Sequence, residues 1–267
     1  MCNVECHITR RDLEEFMTEE KSEILNDNEE KDPKEVVIPE FYRDLKADPE
    51  QKGLWHYVFR TNGDRKPIKT EDGKPHTLDF NWKDMFPNEN GHIEVEIGSG
   101  KGNFMTDYAE KHPDYFIMGS EWDYTWAAFA VERMTKRGVI DQGNAAMLRG
   151  DVFYFLRDCV KSNTVDAFHM YFPDPWPKER HHKNRLLRPD FLTEVARCLK
   201  PGKRIFYWGT DHKEYNEIAL ETFDAFPTCK VLVRNTAEPT EGITTGFERK
   251  YRKEGRPIYR SVIEFEK

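Results

Sequence analysis

Glycines and one carboxylate lie close together at residues 96–102, which read Glu-Ile-Gly-Ser-Gly-Lys-Gly. Glycines at every second position allow a tight turn and let a ligand approach the backbone closely. The dinucleotide-binding fingerprint needs its third glycine where this chain has Asn103, and a phosphate-binding loop needs Ser or Thr where it has Gly102. The segment therefore fits neither of these two fingerprints.

Further carboxylates follow at the ends of predicted strands. Glu121 ends the second predicted strand, where a carboxylate can accept both hydroxyls of a ribose. Asp151 ends the third, and Asp174 and Asp211 follow the next two strands. Glu96 belongs to the first predicted strand. The alternative for Glu96 and Glu121 is capping of the helices that follow them.

The segment FPDPWPKERHHKNR at residues 172–185 joins one acid to a basic run. Pro173 and Pro175 fix φ on both sides of Asp174 and so restrict where its side chain points. Trp176 can pack under this loop or stack on a base. The basic and imidazole side chains that follow can contact phosphates: Lys178, Arg180, His181, His182, Lys183, Arg185 and Arg188.

The net charge of −8 over 267 residues is unevenly distributed. Residues 1–35 carry twelve acids and five bases, a balance of −7, so the rest of the chain sums to −1. Residues 178–188 and 249–260 are basic. Each segment alone is most simply a solvated face, but two such segments on a near-neutral body can bind a phosphate backbone.

Membrane and metal sites are not expected. No run of about 18 apolar residues is present, and the N-terminus lacks the apolar stretch of a secretory signal. Five scattered cysteines favour a reducing, cytoplasmic location. Cys2, Cys6 and His7 have no evident fourth ligand, so we expect no metal.

Strand and helix patterns alternate regularly from His92 onward, which predicts a mostly parallel sheet covered on both faces. The predicted strands are residues 92–98, 115–121, 145–151, 165–172, 203–211, 229–235 and 258–266. The predicted helices are residues 102–112, 123–138, 152–161, 189–202 and 212–226. Before this region we expect a flexible acidic tail over 1–35 and an extension over 36–91. In the extension we expect a short helix at 38–45, a strand at 55–60 and an insertion at 61–90.

Two motifs carry a resemblance to known enzymes. The glycine segment is similar to the E/D-x-G-x-G-x-G loop of class I S-adenosylmethionine-dependent methyltransferases. P-D-P-W-x-K-x-R-H-x-K-x-R, at 173–185, resembles the signature of the bacterial tRNA (guanine-N7-)-methyltransferases, the TrmB family. Further similar segments occur in the same order: QKGLWHYVF at 51–59, IEVEIGSGKG at 93–102, GTD at 209–211 and TGFERKYRKEGRPIY at 245–259. The resemblance covers about residues 45–267.

This resemblance implies a class I methyltransferase domain over 92–267, an α/β Rossmann-like fold with a mostly parallel seven-stranded sheet. It implies methyl transfer from S-adenosyl-L-methionine to N7 of a guanine in tRNA, at position 46 of the variable loop, leaving S-adenosyl-L-homocysteine. The implied partner is tRNA, with no membrane and no obligate protein partner, in a monomer or homodimer.

The resemblance also implies roles for individual residues. The cofactor pocket would comprise Glu96, Gly98, Gly100, Gly102, Glu121, Asp151 and Asp174, with Asp174 as the catalytic residue. Substrate contacts would come from Lys178, Asp211, Thr245, Gly246, Phe247 and Glu248. RNA contacts would come from Arg180, His181, His182, Lys183, Asn184 and Arg185.

The chemistry of guanine limits what the site must supply. N7 carries a lone pair and no proton, so its attack on a sulfonium methyl needs no general base, and catalysis should depend on positioning and electrostatics. A carboxylate can accept hydrogen bonds from both N1–H and the exocyclic amino group. Asp174, Asp211 and Glu248 are equal candidates for that contact on sequence alone.

The chain departs from the family pattern at three places, and two alternative functions are considered. The family usually has two adjacent bases where this chain has Asn184-Arg185, residues 61–90 are longer than the family's connection, and residues 1–35 have no recognised counterpart. An amino-methylating nucleic-acid enzyme is one alternative, because Asp-Pro before an aromatic resembles the D/N-P-P-Y/F/W loop. A non-catalytic RNA-binding protein is the other, although retention of the cofactor acids argues against it.

Overall fold

The computed structural model describes residues 43–59, 80–202, 204–239 and 242–266. These residues belong to one compact unit, Phe41–Lys267. The predicted acidic tail at 1–35, the first part of the predicted helix at 38–45 and most of the predicted insertion at 61–90 lie outside the described residues.

All the strands of the described residues join in a single sheet. They are β1 Arg43–Ala47, β2 Leu54–Phe59, β3 Ile93–Ile97, β4 Phe116–Glu121, β5 Ala145–Arg149, β6 Ala167–Tyr171, β7 Ile205–Thr210, β8 Cys229–Thr236 and β9 Tyr259–Phe265. Their order is β1-β2-β5-β4-β3-β6-β7-β9-β8. The run from β2 to β7 is parallel, while the β1–β2, β7–β9 and β8–β9 pairs are antiparallel.

The Rossmann-like fold class is confirmed, but the sheet has nine strands rather than the predicted seven. The two additional strands, β1 and β2, extend the β5 edge. Leu54 of β2 is fully buried, and the Gly53 carbonyl accepts a hydrogen bond from the Met147 backbone N–H at 2.8 Å. The sheet therefore gains apolar burial and satisfied backbone groups from residues that precede the regular part of the chain.

The described part of the predicted helix at 38–45 is instead strand β1. Leu45 of β1 lies opposite Tyr57 of β2 in an antiparallel pair. Pairing with a neighbouring strand overrides a weak local helical pattern, because it buries side chains that an isolated short helix would leave exposed.

Helices cover the sheet. They are α1 Trp82–Met85, α2 Asn103–Lys111, α3 Tyr124–Lys136, α4 Val139–Gln142, α5 Val152–Asp158, α6 Pro189–Cys198, α7 Lys213–Ala225 and α8 Gly246–Lys253, with a 3₁₀ helix at Glu179–Asn184. The five longer helices predicted from residue 102 onward are present, whereas α1, α4, α8 and the 3₁₀ helix were not predicted. No helix in the described part of the chain combines the length and apolar character needed to cross a membrane.

The core lies on both faces of the sheet. Met118 belongs to one apolar cluster with Val95 and Phe168, whereas the adjacent Ile117 belongs to a second cluster with Phe104. Neighbouring residues of a strand point to opposite faces. Both faces of the central strands are therefore packed, which leaves the ends of the strands as the places where a ligand can reach the sheet.

Candidate functional site

The predicted site residues lie at the carboxyl ends of adjacent parallel strands. The glycine segment follows β3, Glu121 ends β4, Asp151 follows β5, and Asp174 and Asp211 follow β6 and β7. Strands β5, β4, β3, β6 and β7 are neighbours in that order and run parallel. Their carboxyl ends therefore meet at one edge of the sheet.

The glycine segment needs glycine for two different reasons. Gly98, Gly100 and Gly102 have φ of 72°, 53° and 66°, in the left-handed region that favours glycine. A Cβ on Gly102 would lie 2.7 Å from the Cβ of Ala130 in α3, so Gly102 also permits close packing. A Cβ on Gly98 would meet no heavy atom of the described residues within 4 Å. The surface beside Gly98 is therefore open to a ligand.

Glu121 fixes the glycine segment to the end of β4. Its Oε2 accepts the Gly100 backbone N–H at 2.9 Å, and its Oε1 accepts the N–H groups of Trp122 and Asp123 at 2.8 and 3.2 Å. Asp123, and not Glu121, caps α3, since its side chain accepts the Trp126 N–H. The carboxylate of Glu121 is thus held in one orientation at the strand edge while it remains partly exposed.

Asp151 is the N-cap residue of α5. Its Oδ1 accepts the backbone N–H of Phe153 at 3.0 Å. The residue is partly exposed at the same edge as Glu121. Capping accounts for its position after the strand, and the same geometry keeps the carboxyl group at the sheet edge.

Glu96 is the most unusual acid of the site. It is 3% exposed, and this burial raises its pKa to about 7 even though Ser99 and the Met105 backbone favour the charged form. Met105 lies in the first turn of α2, so Glu96 also contributes to the start of that helix. Its Oε2 is buried without a hydrogen-bond partner among the described residues. A buried acceptor of this kind fits a cationic amino group.

A second acid, Glu94, occupies the same face of β3 and was not predicted as a functional residue. Its Oε2 lies 2.6 Å from Nε2 of the fully buried His169, and its Oε1 lies 2.7 Å from Nε2 of His92. Burial alone would raise the pKa of Glu94, but the hydrogen bonds from the two imidazoles outweigh it and hold the pKa well below its usual value. Glu94 is therefore satisfied within the protein, in contrast to Glu96 two residues later.

The loop after β6 holds Asp174 between two unusual backbone conformations. Phe172 and Trp176 have φ of 54° and 44°, which side chains other than glycine seldom adopt. The two prolines lie between them. Asp174 is exposed, and among the described residues no hydrogen bond or ion pair holds its carboxylate. The backbone alone therefore sets the direction of this side chain.

The predicted RNA contacts divide between the surface and the interior. In and beside the 3₁₀ helix, the side chains of Lys178, Arg180, Lys183 and Asn184 are exposed, and those of His181 and His182 are half-buried. Arg185 is only 4% exposed. Its guanidinium donates to the Pro175 carbonyl and to the Glu214 carboxylate. Unlike its neighbours, Arg185 therefore faces the loop that carries Asp174.

Asp211 and Glu248 have charged partners, and Asp174 has none among the described residues. Asp211 pairs with Arg256 at 3.0 Å. Glu248 is fully buried: Arg260 lies 2.5 Å from its Oε2, and Arg252 lies 2.7 Å from its Oε1. A carboxylate enclosed by two guanidinium groups binds the turn before α8 to β9 and is not available to an incoming base.

The other predicted substrate residues form that turn. The Thr245 hydroxyl caps α8 by accepting the Glu248 N–H at 3.0 Å, and a Cβ on Gly246 would lie 2.8 Å from Asn103 Nδ2 in α2. Phe247 is exposed, with its ring close to Gly100. The turn therefore presents one aromatic ring beside the glycine segment.

Three exposed aromatic rings lie near the glycine segment and were not predicted from the sequence as functional residues. Trp122 is 71% exposed, and Trp126 and Phe129 expose their rings on α3. The Lys101 ammonium lies 4.6 Å from the centre of the Trp126 ring. The i, i+3 spacing of Trp126 and Phe129 was the available signal, but core packing is the usual reason for such spacing. These rings are suited to stacking on a base.

The metal expectation concerns Cys2, Cys6 and His7, which lie outside the described residues. Within the described ranges, no three His, Cys, Asp or Glu side chains come together in a way that could hold a metal ion.

The chain is similar to known proteins over most of the described residues. Residues 90–261 match the family described as "Putative methyltransferase". The tRNA (guanine-N(7)-)-methyltransferase of Rhodopirellula baltica is 36% identical over 202 residues, which cover 72% of each chain. The enzyme of the same name from Listeria monocytogenes is 31% identical over 72% of this chain and 89% of its own.

A solved structure, that of PH0851, shares the fold. Its TM-score is 0.50 at 16% identity, over 65% of this chain. This chain spans 42% of that protein.

The raised pKa of Glu96 predicts a specific dependence of stability on pH. Between about pH 4.5 and pH 7 the folded chain keeps a proton on Glu96 that the unfolded chain has released, so this residue lowers the free energy of unfolding as pH rises. Glu96→Gln removes the effect. Urea unfolding should show the variant gaining stability relative to the wild type from pH 5 to pH 8, by up to about 3 kcal/mol.

The matched control is Glu132→Gln, which changes a half-exposed carboxylate on α3. Its free energy of unfolding should follow the wild-type pH profile. Parallel profiles for wild type and Glu96→Gln would contradict a raised pKa at Glu96.

Proposed function

The chain belongs to the family of tRNA (guanine-N(7)-)-methyltransferases, and on that premise we propose how its own residues carry out the reaction. It is an S-adenosylmethionine-dependent enzyme that methylates N7 of a guanine in tRNA. We propose position 46 of the variable loop as the target and S-adenosylhomocysteine as the second product. The observation that carries the residue assignment is the exposed carboxylate of Asp174, without a described partner, at the same sheet edge as the glycine segment.

The residues at the ends of β3, β4 and β5 fit S-adenosylmethionine. The orphaned Oε2 of Glu96 is an acceptor for a cationic amino group, and the open surface at Gly98 allows close approach to the backbone. Glu121, held by three backbone N–H groups, accepts the ribose hydroxyls, and Asp151 accepts the adenine amino group. When bound, S-adenosylmethionine supplies a methyl group on a positively charged sulfur.

The environments of the three candidate acids favour Asp174 as the guanine contact. Glu248 is enclosed by Arg252 and Arg260, and Asp211 is paired with Arg256. Asp174 is exposed and can accept both N1–H and the exocyclic amino group of the base. Its negative charge also stabilises the positive charge that the purine acquires as N7 is methylated.

Catalysis by this site is positioning rather than proton transfer. N7 has no proton to lose, so no residue acts as a general base. The prolines and the two left-handed residues around Asp174 hold it in one place before the base arrives. Such preorganisation lowers the barrier because no reorganisation is required as charge develops.

The turn before α8 and the loop after β7 complete the substrate site. The exposed ring of Phe247, beside the glycine segment, gives a guanine that has left its stack a surface on which to lie. Thr245, Gly246 and the buried Glu248 hold this turn in place. Asp211 orients Arg256, which is about half exposed and can contact a phosphate.

The RNA surface lies along the 3₁₀ helix. It presents the exposed cations Lys178, Arg180 and Lys183, together with Asn184 and the half-buried His181 and His182. These residues follow Asp174 directly in the chain. Phosphate contacts at this surface would hold the RNA backbone so that one base reaches the strand edge.

The experiment that tests the function is nucleoside analysis of the product. Unmodified tRNA is incubated with the protein and methyl-labelled S-adenosylmethionine, digested and separated. We expect the label in 7-methylguanosine, and tRNA in which guanine 46 is replaced by adenine should accept none. A label in another nucleoside would identify a different methyltransferase, and no label at all would favour a non-catalytic RNA-binding protein.

Asp174→Asn should remove activity without removing the cofactor. The amide keeps the size of the side chain but loses the charge and one acceptor, so we expect the single-turnover rate to fall by at least about 100-fold. The Kd for S-adenosylmethionine, measured by calorimetry, should change by only a few-fold. Asp141→Asn, at an exposed carboxylate on α4, is the control and should keep the full rate. Full activity in Asp174→Asn would refute the assignment.

Arg180→Ala and Lys183→Ala should weaken tRNA binding through loss of phosphate contacts. Each lost contact should lower the slope of log Kd against log salt concentration by about one. Lys52→Ala, at a strongly exposed cation beside β2, serves as the control and should keep the wild-type slope. If the two variants and the control have equal slopes, the RNA surface lies elsewhere.

A further inference from the structure

Arg185 contacts the loop of Asp174 from inside the protein. Its Nε donates to the carbonyl of Pro175, the residue after Asp174, at 2.8 Å. Its Nη1 and Nη2 donate to the two oxygens of Glu214 at 3.1 and 2.7 Å. The guanidinium carbon lies 4.5 Å from the centre of the Tyr215 ring. One side chain thus connects the loop after β6 to the first turn of α7.

The loop needs an external anchor. Asp174 has no hydrogen bond or ion pair of its own among the described residues, so its direction depends on the backbone around it. Phe172 and Trp176 hold left-handed conformations that cost free energy and persist only where surrounding contacts enforce them. Proline lacks a backbone N–H, so Pro173 and Pro175 cannot donate hydrogen bonds, whereas the Pro175 carbonyl accepts one from Arg185.

Glu214 is suited to hold the other end of this connection. The hydrogen bond from Arg185 lowers the pKa of its carboxyl, which keeps the group ionised. His182 and His212 lie 3.8 and 3.7 Å from its oxygens and add positive charge there when protonated. A two-point pairing between guanidinium and carboxylate fixes orientation as well as distance.

We propose that Arg185 is a positioning residue that aims Asp174 at the guanine, through the Pro175 carbonyl and Glu214, and that it does not contact tRNA. This inference rests on the proposed role of Asp174. It differs from the expectation that the resemblance gave for Arg185. A side chain that is 4% exposed and bonded to three protein oxygens cannot also reach a phosphate without leaving them.

Lysine cannot replace arginine in this role. The contact requires a planar group whose N–H donors point toward the Pro175 carbonyl on one edge and toward both Glu214 oxygens on another. A lysine ammonium is a single point charge with a different reach, so it can keep the charge but not both contacts.

The test compares the rate of methyl transfer with the strength of tRNA binding. Arg185→Ala, Arg185→Lys and Glu214→Gln are assayed for single-turnover rate at saturating tRNA, for the Kd of S-adenosylmethionine, and for tRNA Kd across salt concentrations. We expect both Arg185 variants to lose about 100-fold in rate, as an ångström-scale displacement can cause. Both Kd values and the salt slope should stay at wild-type levels.

Lys183→Ala is the comparison variant for Arg185→Ala, because it removes an exposed cation two residues away. It should raise the Kd for tRNA and lower the salt slope by about one, which is the pattern of a lost phosphate contact. If Arg185→Ala shows this same pattern, Arg185 is an RNA contact and the proposal is overturned. A wild-type rate in Arg185→Lys would also overturn it, because charge alone would then suffice.

Glu214→Gln keeps the test decisive if Arg185→Ala does not fold. The side chain of Glu214 is 44% exposed, so its amide can be accommodated. A lower rate with unchanged affinities supports the proposal, and an unchanged rate refutes it. The double variant Arg185→Lys with Glu214→Gln should be no slower than Arg185→Lys alone, because both changes break the same connection. Formation of 7-methylguanosine by the wild type is measured first, so a failure of the proposed function is recognised separately.

Discussion

The parallel alignment of β5, β4, β3, β6 and β7 is the constraint on which the site depends. Parallel strands place all their carboxyl ends on one edge, so five loops distant in the chain become neighbours there. Both faces of the sheet are covered by apolar clusters, which leaves that edge as the place where a ligand can reach the strands. Each loop then needs its own attachment, and the attachments differ: backbone N–H groups bind Glu121, a helix start binds Asp151, and a guanidinium binds the loop of Asp174.

The acids of the site are distinguished by their surroundings rather than by their residue type. Glu94 and Glu96 lie two residues apart on one strand, yet imidazoles hold the pKa of the first low, whereas burial raises the pKa of the second to about 7. Glu248 is paired with the buried Arg260 and the more exposed Arg252, and Asp174 faces solvent. Glu94 and Glu248 have their partners in place within the fold, whereas Oε2 of Glu96 and the carboxylate of Asp174 have none among the described residues.

The basic run after Asp174 shows the same division of roles. Asn184 is exposed and Arg185 is buried, although they are adjacent in the chain. The family usually carries another base at position 184, and in this chain Asn184 there faces solvent. The base that this chain retains, Arg185, is the one that contacts the loop of Asp174 through the Pro175 carbonyl. Neighbouring residues such as Lys183 can provide a phosphate contact at the surface. They cannot replace the contacts of Arg185 with the Pro175 carbonyl and Glu214.

The sequence by itself determined the family, the alternating strands and helices, and the residues at the strand ends, because these depend on local patterns and on a specific motif. It could not show that β1 and β2 join the sheet, since strand pairing between distant segments leaves no local pattern. Nor could it separate Asp174 from Asp211 and Glu248, or Arg185 from the exposed bases beside it. Those distinctions depend on burial and on partners from remote elements, such as Arg260 for Glu248 and Glu214 for Arg185. Only the tertiary structure decides which charges are satisfied inside the protein and which remain for a ligand.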